Sequence, residues 1–132
     1  MVRRHDMTTQ SKTILIVEDE KDLREALATA FTYEGFLTLT AEDGEIGLAT
    51  ALREKPDMIL LDVMMPKMDG LAVLKNLRKD EWGKEARVIV MTALDELDKV
   101  AEVIEAGVDE YIMKTSITLN GIVTKVKEKL GI

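Results

Sequence analysis

Three stretches of this chain are apolar without a break: Ile14-Leu15-Ile16-Val17, Met58-Ile59-Leu60-Leu61 and Val88-Ile89-Val90-Met91. A strand with one wet face alternates apolar and polar residues, so unbroken runs mark strands covered on both faces. The strand candidates are Thr13–Val17, Phe36–Thr40, Asp57–Leu61, Arg87–Met91 and Glu110–Met113, the last the weakest. Between them the apolar spacing turns helical. Leu23, Ala26, Leu27, Ala30 and Phe31 share one face, as do Leu71, Leu74 and Leu77, then Leu97, Val100, Ala101 and Ile104. A last helix carries Leu119, Ile122, Val123, Val126 and Leu130. Glu45–Arg53 is a weaker helix, because Gly47 costs it ~1 kcal/mol relative to alanine. Gly35 and Gly107 fall just past helix ends, where a left-handed cap is wanted. Strands alternating with helices imply a parallel sheet covered on both sides, joined by right-handed crossovers.

The length of 132 residues suits one domain with a real core. Residues 1–11 read as a disordered N-terminal tail with Met7 a possible start, and 12–132 as the folded domain. The net charge of −7, with no basic stripe, disfavours direct binding to nucleic acid or to an anionic membrane. Without cysteine there is no disulfide, thiol or Cys-zinc chemistry. No apolar run approaches a membrane span and no signal peptide is visible, so the expected location is the cytoplasm.

In such a fold, ligands bind beyond the carboxyl ends of the strands. Glu18, Asp19, Asp62, Thr92 and Lys114 all fall there. Three carboxylates together raise at least one pKa unless a cation relieves them. An all-oxygen, solvent-open set suits Mg²⁺, and the absence of neighbouring His and Cys argues against zinc. With metal bound, Asp62 stays ionised, as a nucleophile must. Lys114 and Thr92 beside it form a receptor for phosphoryl oxygens, so the residues point to phosphoryl transfer onto Asp62. His5, the only histidine, lies in the tail, which puts the phosphoryl donor on another protein.

Four stretches resemble the response-regulator receiver domains of two-component signalling: Ile14–Glu20, Leu60–Gly70, Met91-Thr92-Ala93 and Tyr111–Lys114. The similarity runs from about Lys12 to Leu130. It implies a flavodoxin-like, doubly wound sheet of five parallel strands in order 2-1-3-4-5 with five helices. It implies a signalling switch rather than an enzyme with an external substrate. Asp62 resembles the phosphoacceptor. Glu18, Asp19 and the backbone carbonyl of Met64 resemble, with Asp62, the Mg²⁺ ligands. Lys114 resembles the phosphoryl-contacting lysine, Thr92 the switch hydroxyl and Tyr111 the switch aromatic. The implied partners are a sensor histidine kinase or phosphotransfer protein, a downstream target protein, and a possible second copy docked through the last two helices. A phosphorylation-independent interaction module with a degenerate receiver site is the alternative.

Two positions depart from the family pattern. Glu18 stands where Asp is commoner. Thr115 stands where a cis proline usually follows the lysine, so the Lys114–Thr115 bond is expected to be either trans with a shifted loop or a strained cis form. Apolar Met64 and Leu94, two residues past Asp62 and Thr92, are expected to hinder attack by water. Asp69 is placed to cap the third helix, and Trp82 to pack as a lid. Asp95, Glu96, Asp98, Glu102 and Glu105 make the fourth helix acidic, and Lys125, Lys127 and Lys129 make the last one basic, either as two solvated faces or as a docking surface. The chain ends after that helix, so it reads as a stand-alone receiver or one excised from a larger protein.

Overall fold

The computed structural model describes residues 12–93 and 98–132; the expected tail over 1–11, and Leu94, Asp95, Glu96 and Leu97, lie outside the described residues. The strands are β1 (Thr13–Val17), β2 (Leu37–Ala41), β3 (Met58–Asp62), β4 (Val88–Thr92) and β5 (Glu110–Met113). The helices are α1 (Lys21–Tyr33), α2 (Gly44–Glu54), α3 (Gly70–Leu77), α4 (Val100–Ala106) and α5 (Leu119–Leu130). All strand pairs are parallel, in the order β2-β1-β3-β4-β5.

Side chains of a strand alternate between faces, so each central strand feeds two cores. Leu15, Val17, Ile59, Leu61, Val88 and Val90 meet Leu71, Val73, Leu74 and Leu77 of α3 and Val103 of α4. Ile14, Ile16, Met58, Leu60, Ile89 and Met91 meet Leu27 and Phe31 of α1 and Ile122, Val123 and Val126 of α5. The unbroken apolar runs thus serve both faces of one sheet. Each fully buried Leu, Ile or Val contributes on the order of 2 kcal/mol. Trp82 is partly buried against the first core, as a lid.

Several details differ from the sequence expectation. β2 begins at Leu37 because Phe36 turns into the core, where its ring meets Phe31 edge-on at 5.2 Å. β3 and β4 extend one residue further than expected, to Asp62 and Thr92. In α4 the buried residue is Val103, while Ala101 and Ile104 face solvent. The seven-residue helix is anchored by Val103, with Ala106 and Val108 packing beside it, which rotates the expected stripe outward. Leu119, first in α5, is likewise exposed.

Gly47 has a packing reason that its helix propensity hides. A Cβ there would stand 2.6 Å from Val17 Cγ1, so the glycine lets α2 lie directly on β1. Gly35 and Gly107 both have positive φ, as expected of residues past a helix end. Asp43, Asp69 and Thr118 cap α2, α3 and α5, accepting hydrogen bonds from the N–H groups of Ile46, Ala72 and Gly121. No described helix is long and apolar enough to cross a membrane.

Candidate functional site

β1 and β3 are neighbours, with Val17 in register with Leu61. Glu18, one residue past Val17, therefore stands level with Asp62 at the carboxyl edge of the sheet. Asp62 is in register with Met91, and Thr92 with Met113, so Thr92 and Lys114 leave their strands at the same edge. Carboxylate oxygens of Glu18, Asp19 and Asp62 all lie within 4.8 Å of one another. Lys114 Nζ sits 3.0 Å from Glu18 Oε1 and 3.1 Å from Asp62 Oδ1. Glu18 is fully buried and Asp62 is 2% exposed, whereas Asp19 is open to solvent.

Burial makes this cluster electrostatically costly. Desolvation, then the charge of Glu18, pushes the Asp62 carboxyl up to about 8, although Lys114 pulls the other way. Glu18 is also raised, by burial first, against the Glu20 N–H that donates to its Oε2 at 3.0 Å and against Lys114. Burial works to lower the Lys114 pKa, but Asp62 and Glu18 outweigh it and the ammonium is held above its ordinary value. Glu18 Oε1 and Asp62 Oδ1 have no donor at hydrogen-bonding geometry; the ammonium stands at ion-pair distance from both, off their preferred directions. Two of the three carboxylates, both buried, share one lysine, and an oxygen of each lacks a directed partner. A hard divalent cation fits that donor set.

The loop after β3 keeps Asp62 in place. Asp69 caps α3 through Ala72 N–H, as its spacing suggested. Gly70 N–H donates to Val63 O at 2.6 Å, and a Cβ on Gly70 would lie 2.3 Å from the carbonyl oxygen of Asp62. Within the loop, Lys67 has φ of 70°, and Met64 is exposed at the site.

The Lys114–Thr115 bond is trans, since no described bond is cis. Lys114–Ser116 form a single 3₁₀ turn, after which Thr118 opens α5. Of the two forms expected at Thr115, the trans form occurs, and Lys114 still reaches both acids. Thr92 is fully buried, its hydroxyl donating to Ala93 O at 3.2 Å. Tyr111, in register with Val90, is 44% exposed.

The basic face of α5 is partly taken up inside the molecule. Lys125 and Lys129 reach Glu110 of β5 at 3.3 and 3.2 Å, and Lys127 reaches Glu34 at 3.0 Å. None of these pairs involves an acid of α4. Sequence reasoning also passed over Arg24, which donates to the carbonyls of Glu18 and Asp19. The only hint was an arginine one turn into the helix that follows the acidic pair.

Comparison with known proteins agrees with this geometry. The family model for the response regulator receiver domain matches residues 14–127. The phosphate regulon transcriptional regulatory protein PhoB of Pseudomonas aeruginosa is 40% identical over 103 residues, which is 78% of this chain and 45% of PhoB. Regulatory protein AtoC of Escherichia coli is 39% identical over 106 residues, 80% of this chain and 23% of AtoC. The chain spans less than half the length of these curated relatives. Among solved structures, a CheY-like receiver domain protein from Methanospirillum hungatei superposes with a TM-score of 0.83 at 29% identity, covering 91% of this chain and 94% of that one. The receiver domain of Francisella response regulator 1452 gives 0.82 at 29%, covering 92% and 98%. With its strand order, its acidic cluster and a family match over nearly its whole length, the chain belongs to the response-regulator receiver domains of two-component signalling.

Proposed function

We propose that the chain is a phosphoacceptor switch that takes a phosphoryl group onto Asp62 from a phosphohistidine on a sensor histidine kinase or phosphotransfer protein. The observation that carries this reading is the convergence of Glu18, Asp19 and Asp62 carboxylate oxygens, with the Lys114 ammonium at ion-pair distance from Glu18 and Asp62. An Asp62 oxygen attacks phosphorus; the donor's P–N bond breaks, and an acyl phosphate forms. Lys114, already 3.1 Å from Asp62 Oδ1, needs only a small movement to pair with a phosphoryl oxygen. Glu18, Asp19, Asp62 and the backbone carbonyl of Met64 would hold Mg²⁺, which when bound would neutralise charge and keep Asp62 ionised for attack.

Thr92 is the switch hydroxyl in this reading. Its side chain turns from Ala93 O toward the phosphoryl group, and Tyr111, now half in solvent, follows inward. Moving such an equilibrium from 1:99 to 99:1 needs ~5.5 kcal/mol of differential stabilisation, within reach of one charge event in a buried site. The rearranged face then binds a downstream partner. The regulatory relatives PhoB and AtoC favour an output in gene regulation, exerted by that partner or by another domain, and a cytoplasmic site of action. A phosphorylation-independent module has less support, because Lys114 retains its reach to Asp62.

Intact-mass measurement after incubation with acetyl phosphate and Mg²⁺ tests the proposal. Wild type is expected to gain one phosphoryl group, EDTA to block the gain, and Asp62→Asn to show none. Gain in both proteins, or in neither, would reject it.

In this reading the side chain of Met64, apolar and exposed two residues past Asp62, shields the acyl phosphate from water. Replacing it with asparagine, which can hold a water by hydrogen bonds, is expected to shorten the phosphoryl lifetime several-fold, equivalent to about 1 kcal/mol of barrier. Decay of the phosphorylated mass after donor removal measures this; equal lifetimes would discount the shielding role.

A further inference from the structure

We infer that Arg24 is a positioning residue that aims the acidic pair at the cation, an inference that rests on the Mg²⁺ reading above. Arg24 is the fourth residue of α1. Its Nη1 donates to the carbonyl of Glu18 at 2.9 Å and to that of Asp19 at 3.3 Å. One guanidinium nitrogen thus holds two successive peptide carbonyls.

The two acids differ in how much they need this. Glu18 is tied from the other side as well: its N–H donates to Ala41 O at 3.0 Å, and its Oε2 accepts from Glu20 N–H at 3.0 Å. Asp19 lies beyond the strand end and is exposed. Its direction depends on the peptide planes on either side, and both carbonyls held by Arg24 belong to that short stretch. The helix in turn secures Arg24, whose own N–H donates to Glu20 O at 2.9 Å. The clamp therefore links the first turn of α1 to the side chain of Asp19 through backbone alone.

Charge and position make opposite predictions here. Arg24 places a cation against the backbone of the acidic pair, so Coulomb interaction alone says that removing it leaves a more negative site and tightens Mg²⁺ binding. A clamp says the reverse: without it Asp19 spends its time in many orientations, and binding weakens. The sign of one affinity change separates the two.

The test is calorimetric titration of the full chain with Mg²⁺, at low salt and at 0.5 M NaCl, for wild type, Arg24→Ala, Arg24→Lys and Asp19→Asn. Arg24→Ala is expected to weaken binding about tenfold, and more clearly at high salt, where the opposing charge effect is screened. Arg24→Lys, which keeps the charge on a shorter side chain that reaches the two carbonyls less well, is expected to fall between. Combining Arg24→Ala with Asp19→Asn is expected to add little to Asp19→Asn alone, because the arginine acts through that carboxylate. A merely structural role would make the two losses additive. Should Arg24→Ala fold poorly, the Lys variant and its double mutant carry the same comparison. Unchanged or tighter binding in the Arg24 variants, with wild type binding normally, would overturn the clamp. Absence of binding in wild type would remove the Mg²⁺ reading and the clamp with it.

Discussion

Metal-free protein moved from pH 5 to pH 8 will lose stability on the order of 3 kcal/mol, and Asp62→Asn will lose little of it. The ordinary value of the Asp62 carboxyl is 3.8; burial, then Glu18, pushes it up to about 8, against the pull of Lys114. Between those values the folded protein holds a proton that the unfolded chain has released. The contribution of this group to stability is therefore complete below the unfolded value and is lost as pH rises through the folded one. Glu18, raised by burial, acts in the same direction. Lys114, held above its ordinary 10.5, contributes throughout this window and loses its share only at higher pH. Each unit is worth about 1.36 kcal/mol, and the acids share one ammonium, so the net slope falls short of the full shift.

At pH 8, Asp62→Asn is expected to be the more stable protein, by roughly 10 °C in melting temperature. Mg²⁺ added to wild type closes that gap, because a cation that binds only the folded state stabilises it by mass action. Urea unfolding in EDTA at pH 5, 6.5 and 8 measures the slope directly. A flat profile for wild type would mean that Glu18 and Asp62 are not buried together.

Gly70→Ala is the second large effect, with a loss of about 3–4 kcal/mol expected. The new Cβ would lie 2.3 Å from Asp62 O, 2.8 Å from Val63 Cα and 3.1 Å from Asp62 C. All three are backbone atoms at the buried end of β3 or in the residue just past it, so none can swing aside. The relief must come from moving the end of β3, which is Asp62 itself. Phosphoryl uptake should fall even where the variant remains folded, because a misplacement near 1 Å costs about 100-fold in rate. Gly121→Ala is the control. Its Cβ meets Ile117 Cγ1 at 2.5 Å, Cδ1 at 3.1 Å and the capping Thr118 Oγ1 at 3.3 Å, all side-chain atoms rather than backbone, and alanine favours the helix. Its change should stay within about 1 kcal/mol. Equal behaviour of the two variants in urea would refute the steric account.

Much of the fold is legible in the chain because a parallel sheet demands unbroken apolar strands. Ile14–Val17, Met58–Leu61 and Val88–Met91 could serve little else, and their ends place the acids. The positions of Glu18, Asp62 and Thr92 follow from where those runs stop. What stays hidden depends on contacts between segments far apart in sequence. The exposed side of α4 is set by Val103 meeting the core, which no short apolar period reports. The lysines of α5 read as a solvated or docking face, yet Glu110 and Glu34 take them in ion pairs. Gly47 looks like a weak point in a helix until Val17 is seen beneath it. Arg24 reaches back to carbonyls, and backbone acceptors leave no mark in a sequence.

Chemical trapping of the phosphorylated residue tests the central claim most directly. Wild type treated with acetyl phosphate and Mg²⁺, then reduced with borohydride, should yield homoserine at position 62 on peptide sequencing by mass spectrometry, and at no other carboxylate. Homoserine at Asp19 or Asp69, or a stable phosphoester on a serine or threonine with position 62 unmodified, would contradict it.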